Sequence, residues 1–316
     1  MKKAFKKFLG ASALTLTGMY AINKLIENSV TSVTPTKQDK IFIWRDMEIH
    51  YIEKGQLNQP PILLIHNLYP SSSKEEWNHI DEQLASGFHI YELDLPGCGK
   101  SDKPNITYIN FMYVQLLSAF IKEVIQEKTN ICAAAYSSSF ALMTARMNEN
   151  MVGKIIIINP TSIFELVKPV TKQSMIQKQI VELPIIGTSL YNYKMKKASI
   201  EDDYKYIYYY NDRNVDEREI NISYYNAHCK KSGGKYLYGS ILGNYTNINI
   251  IHALSKIENE IYLIGGGHYK QIIQEYKKYN ANIHEIFVSN CRLLPQLEIP
   301  NTIVSHITDI ITTPEK

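Results

Sequence analysis

What the chain has little of narrows the field first. Its four cysteines, Cys98, Cys132, Cys229 and Cys291, are scattered over 316 residues without metal-ligand spacing. They supply neither a disulfide framework nor a zinc site, and they read as buried small hydrophobes. Charge of one sign is also scarce: the formal net charge is +3, too small to suggest nucleic acid as a partner. No clustered His, Asp and Glu offer a metal site, so neither metal nor cofactor is expected. The N-terminal apolar stretch, Phe8 to Ile22, is shorter than the roughly twenty residues a membrane-crossing helix takes.

The residues that are present describe a globular protein. With 45% hydrophobic and 21% charged residues, the chain is large enough for one α/β domain with an insertion, or for two domains. Tyrosine is the outlier, 23 of them, many in the second half beside lysines. Such stretches are amphipathic helix surfaces or the lining of a partly apolar groove.

At the start, Lys2, Lys3, Lys6 and Lys7 precede the apolar stretch, and Asn23 and Lys24 close it. A charged segment followed by a short hydrophobic one predicts a single signal-anchor or membrane-associated helix over 1–26, with no clear cleavage site. Lysines on the inner side would leave the folded domain outside the cytoplasm. The alternative is an amphipathic helix lying on the membrane or on the protein itself. Residues 27–39, rich in Ser, Thr and Lys, read as a linker.

From Ile41 onward strands and helices alternate. Ile41–Arg45 and Met47–Glu53 form an expected hairpin around Asp46, and Pro61–Ile65 is an unbroken apolar run, as in a strand buried on both faces. Ser73 is expected to cap a helix running towards Ser86. Phe88–Leu93, Ile131–Ala135, Lys154–Ile158, Glu260–Gly265 and Ile283–Val288 are further strands; Tyr108–Lys128 and Phe140–Asn148 are helices. This alternation predicts a parallel sheet with crossovers. Between Thr161 and about Asn249 no strand pattern appears, and helices over Leu166–Tyr193, Asp202–Tyr210 and Ser223–Tyr238 suggest a lid over the carboxyl ends of the strands.

The turn between Ile131–Ala135 and Phe140–Asn148 carries three serines, Ser137 to Ser139, with Ala135 and Ser139 two residues either side of Ser137. A strained strand-to-helix corner needs small flanking residues, and here the smallness is kept without glycine. A helix cap is the other reading of such a run.

Three strings in this order resemble the α/β-hydrolase superfamily, in particular its capped esterase- and lipase-like members. Asp94-Leu-Pro-Gly-Cys-Gly-Lys-Ser101 is similar to the family's D-x-P-G-x-G-x-S loop, Ile62–His66 to the strand entering its His-Gly oxyanion turn, and Ala135–Ser139 to its nucleophile elbow. Leu294–Pro300 resembles the segment after the family's catalytic histidine. The resemblance implies a mostly parallel central sheet flanked by helices, a core over 40–160 and 250–316, and an inserted helical cap over 161–249. It makes Ser137 the nucleophile and the backbone N–H groups of Ser138 and of the Asn67–Leu68 turn the oxyanion donors. Where the family has glycine this chain has Asn67, which tolerates positive φ better than other side-chain-bearing residues.

The same resemblance leaves the acid and base empty. Gly265-Gly-Gly-His268 stands at the family's G-x-x-D, with no carboxylate until Glu275, and Leu293 falls on the catalytic histidine. Leucine cannot carry a proton. His268, at the carboxyl end of a strand, is the candidate substitute base; His66 and His306 read as structural, and Asp94 and Asp102 as loop hydrogen-bonding groups. Two functions stay open: a membrane-associated serine hydrolase of an ester, thioester or amide, or a non-catalytic relative that binds a small apolar, lipid-like or ester-like ligand or a protein partner.

Overall fold

The computed structural model describes residues 2–31 and 39–314; residues 32–38, most of the expected linker, lie outside the described residues. Among the described residues eight strands form one sheet in the order β1-β2-β4-β3-β5-β6-β7-β8. They are β1 (Lys40–Trp44), β2 (Met47–Lys54), β3 (Pro61–Ile65), β4 (His89–Leu93), β5 (Thr129–Ala134), β6 (Val152–Ile158), β7 (Ile261–Gly266) and β8 (Ile283–Val288). From β4 across to β8 neighbouring strands are parallel, and β1 and β2 add an antiparallel edge.

The expected hairpin forms because Arg45 and Asp46 both take positive φ, 50° and 62°, as a two-residue turn matching the strand twist requires. In β3, Leu63 and Ile65 enter the apolar core on one sheet face while Ile62 and Leu64 enter the other. That division explains why the segment reads as an unbroken apolar run. The cores are closed by α3 (Asn110–Phe120) and α4 (Ser138–Met147) on one side, and by α2 (Asp81–Ala85) and the C-terminal helix Pro300–Thr312 on the other. One expectation fails here: the segment after Ser73 is a single 3-10 turn, Lys74–Trp77, and Ser73 makes no side-chain cap. Its hydroxyl instead accepts a hydrogen bond from Asn226 at 2.8 Å.

Between β6 and β7 the chain is helical: α5 (Ile163–Leu166), α6 (Lys172–Glu182), α7 (Ile186–Lys194), α8 (Lys197–Asp203), α9 (Glu217–Ser232), α10 (Gly234–Leu242) and α11 (Ile251–Leu254). The helices α5 to α10 occupy the span expected for the cap, while α11 packs against α4. This span reaches the loops at the carboxyl ends of β3 and β4 through Asn226 to the Ser71 carbonyl (3.4 Å) and Lys230 to Asp102 (2.8 Å).

The N-terminus departs from expectation. Lys2–Ser29 is one helix, α1, packed against α7 and α9. Asn23 is buried: its amide donates to the Ile185 carbonyl at 3.2 Å, and its oxygen accepts from Ser189 and Asn192. Among the described residues no helix is long and apolar enough to cross a membrane. The predicted signal-anchor is therefore corrected, and with it the membrane contact through the N-terminus and the placement of the folded domain outside the cytoplasm. The physical reason lies in the helix itself, where Ser, Thr and Asn interrupt the apolar stretch and the buried polar Asn23 finds its partners in the cap.

Candidate functional site

The corner after β5 is the natural place for chemistry, because parallel strands present their carboxyl ends to a shared edge. The strand pairs through Ala134 with Ile158 of β6. The residue that turns left-handed is therefore the next one, Ala135, at φ 46°. A side-chain-bearing residue there costs about 1–2 kcal/mol. Ser137 lies two residues further on, already helical at φ −69° and ψ −8°. It is fully buried, and its hydroxyl donates to the His66 carbonyl at 2.6 Å. Ser138 and Ser139 are equally buried. The small-residue frame that fits this corner is thus Ala133-Ala-Ala135-Tyr-Ser137, two residues earlier than the reading centred on Ser137, and it places a methyl group on the strained residue. The sequence carried both frames, since Ala133 is as small as Ser139; strand pairing decides between them.

The amide following the strained residue belongs to Tyr136, and it is already taken. Its N–H donates to the Asn67 side-chain oxygen at 3.2 Å, while the N–H of Asn67 donates to Glu76 at 2.9 Å. Asn67 is not among the positive-φ residues, so the expected glycine-like turn is replaced by one in which its carboxamide fills the space before the corner. Leu68 is buried in the apolar core, and Ser138 begins α4.

Two titratable groups support this turn. His66 is fully buried; its Nδ1 faces the Asn67 carbonyl at 2.6 Å and its Nε2 accepts from the Leu95 N–H at 3.0 Å. That pair of contacts assigns the proton to Nδ1, and burial pushes the imidazole down to about 4. Burial likewise pushes the Glu76 carboxyl up to about 8. Asp94 behaves oppositely. Burial disfavours its charge, but the Lys74 ammonium at 3.0 Å, His66 and the N–H groups of Lys74 and Lys100 outweigh it and hold the carboxyl well below its usual range. Gly99, at φ 43°, is obligatory beside it, because a Cβ there would come within 2.2 Å of the Asp94 carboxyl. Asp94 and Asp102 are hydrogen-bonding groups of the loop, as read from the sequence; Asp102 accepts from the Glu48 N–H and from Lys230.

The remaining candidates do not meet the serine. His268 is exposed in the turn Gly267–Tyr269 after β7, and among the described residues no histidine ring nitrogen shares a hydrogen bond with Ser137. Leu293 follows β8 in a loop held from two sides. Asn159, at the end of β6 with φ 48°, donates to the carbonyls of Arg292 and Leu293 and accepts from the Gly266 N–H at 3.1 Å. From the cap, the Ile207 and Tyr208 carbonyls accept from the N–H groups of Leu293 and Leu294, and Glu298 accepts from those of Tyr210 and Asn211. Tyr204, Tyr208 and Tyr209 pack with Leu294 and Leu297 in one apolar cluster. Sequence reasoning missed Asn159 and Glu298; an amide and a carboxyl in loops carry no spacing signal.

A cleft of about 150 Å³ opens where the cap meets the loop after β3, lined by Ser71, Glu75, Glu76, Tyr204, Glu219 and Ser223 among others. Among the described residues no three His, Cys, Asp or Glu side chains converge to hold a metal ion.

Comparison with known proteins agrees with this architecture. A family model described as alpha/beta hydrolase fold matches residues 60–184. The chain is 25% identical over 115 residues to a haloalkane dehalogenase of Mycobacterium marinum, covering 36% of this chain and 38% of that protein. It is 23% identical over 165 residues to 2-hydroxy-6-oxo-6-(2'-aminophenyl)hexa-2,4-dienoic acid hydrolase of Metapseudomonas resinovorans, covering 51% and 56%. The matched segment thus spans about a third to a half of these relatives. The crystal structure of a serine hydrolase involved in carbazole degradation superposes with a TM-score of 0.70 at 15% identity, over 87% of this chain and 98% of that one. The strand order, the Asp94–Ser101 loop and these matches agree on one architecture: the chain has the α/β-hydrolase fold.

Proposed function

We propose that this protein is a ligand-binding member of the superfamily that does not use Ser137 as a nucleophile. One observation carries the reading: the strained corner residue is Ala135, while the Ser137 hydroxyl is fully buried and donates its proton to the His66 carbonyl. A serine nucleophile needs an exposed hydroxyl facing a base and a free donor pair for the oxyanion. Here the hydroxyl faces a carbonyl, the amide after the corner is occupied by Asn67, and His268 lies in an exposed turn. The cleft between cap and core is the site where a small molecule lodges.

The test is labelling of the whole chain with a fluorophosphonate probe, alongside turnover of short p-nitrophenyl esters, with Ser137→Ala for comparison. The expected result is no labelling and background turnover for both proteins. Labelling that disappears in Ser137→Ala would restore the serine-hydrolase reading of an ester, thioester or amide under a lid.

A further inference from the structure

Helix α9 does not run straight to its end. Cys229 leaves the helix at ψ 165°, and Lys230, Lys231 and Ser232 then all take left-handed backbone, at φ 54°, 58° and 54°. Residues that carry a side chain enter this region singly, not in runs. Glycine would relieve such a turn, and Gly233 and Gly234 stand directly after it. Neither has positive φ, and Gly233 is right-handed at φ −60° and ψ −20°. The local sequence therefore does not call for the turn at 230–232; contacts across the fold impose it.

Those contacts differ in weight. The Cys229 thiol donates to the Gly99 carbonyl at 3.2 Å, a weak bond for sulfur. The Lys230 ammonium meets Asp102 at 2.8 Å, but the two side chains are 38% and 31% exposed, and an ion pair so open to water contributes little. The contact at Ser232 is buried throughout. Ser232 has no exposed surface, and its hydroxyl donates to the Asn192 side-chain oxygen at 3.3 Å. Asn192, in α7, donates its own amide to the side-chain oxygen of Asn23 at 3.1 Å, and Asn23 belongs to α1. One chain of buried side chains thus runs from α1 through α7 to the strained turn. Cutting it leaves buried polar groups unpaired, which costs more than losing the exposed ion pair.

We infer that α1 is a clasp on the cap. While Asn23 is docked, Asn192 holds Ser232, the turn stays left-handed and α9 stays closed on the loop after β4. When α1 lifts, the strain drives the turn towards right-handed backbone and α9 comes free. Asp216, Arg218, Glu219, Ile222 and Ser223, at the start of α9 and within it, line the cleft, so docking of α1 governs entry to it. That last consequence rests on the ligand-binding reading above; the link between α1 and the turn does not.

Hydrogen exchange of the full chain, followed by mass spectrometry with peptides of β5 as the reference for global opening, tests the clasp. Asn23→Ala and Ser232→Ala are each expected to speed exchange over residues 230–234 by roughly tenfold or more relative to β5. The double variant is expected to exchange no faster there than either single one, because both cut the same chain. Lys231→Gly is expected to reverse most of the effect of Asn23→Ala, since Lys231 is exposed and glycine accepts the left-handed backbone without strain. Unchanged exchange over the turn in folded Asn23→Ala overturns the inference, as do effects that multiply in the double variant or an absence of rescue by Lys231→Gly. If Ser232→Ala does not fold, the rescue decides alone. Fluorophosphonate labelling is read separately, so a failed clasp leaves the non-catalytic reading standing.

Discussion

Asn67 puts a carboxamide where the family places a bare glycine, and that one side chain sets the roles of its neighbours. It takes the Tyr136 amide, its own N–H goes to Glu76, and its carbonyl faces the buried His66. Glu76 therefore sits with an acid group behind the turn, its carboxyl raised from 4.5 to about 8. An acid whose folded value lies above its unfolded one binds more protons in the native state, so stability falls as pH rises across the window between those values. Glu76→Gln keeps an acceptor for the Asn67 N–H and removes the titration. We predict that urea unfolding of the wild type shows a loss between pH 5 and pH 8 that is reduced in Glu76→Gln; an equal loss in both would show that Glu76 titrates normally. His66 has the opposite sign. Its folded value of about 4 lies below the usual 6.5, so its contribution is lost as pH falls through that window.

At the scale of elements, the corner after β5 and the loop after β8 are both set by pairing between strands. The short apolar runs made the strands legible, and Ile283–Val288 is a strand over the span read from its residues. The corner was legible only to within two residues, because Ala133, Ala135, Ser137 and Ser139 satisfy the same small-residue requirement in two frames. The Ala134–Ile158 pair ends the strand and selects the earlier frame. Asn159 then ties the strand ends to the loop carrying Leu293 through two donated bonds and one accepted bond. Removing three buried hydrogen bonds of about 1 kcal/mol each predicts that Asn159→Ala costs about 2–4 kcal/mol in urea unfolding, with faster amide exchange at Leu293 and Leu294. A cost below about 0.5 kcal/mol would mean that the cap contacts hold the loop alone.

Across the whole molecule, α1 and the cap behave as one packed body on top of the sheet. The N-terminal segment was read as a membrane anchor because a lysine-rich start and an apolar stretch are the usual local signs. Its actual partner is distant in sequence: Asn23 reaches Ile185, Ser189 and Asn192, contacts that local patterning does not encode. Asn23→Ala is predicted to lower stability by about 1–3 kcal/mol and to quicken tryptic cleavage at Lys24 while leaving the core fragment intact. Unchanged cleavage would show that apolar packing alone holds the helix.

Local chemistry along the chain was sufficient for the strands, the hairpin around Asp46, the Asp94–Ser101 loop and the absence of histidine at Leu293, because each depends on residue type and near neighbours. The tertiary structure decided which residue of the β5 corner is strained, what occupies the Tyr136 amide, where the N-terminal helix docks and that the cleft is acidic. Each of these turns on which groups meet across the fold. Strand pairing places Ala135 at the corner, and the carboxyls of the cleft come together from the loop after β3, Glu75 and Glu76, and from the start of α9, Asp216 and Glu219.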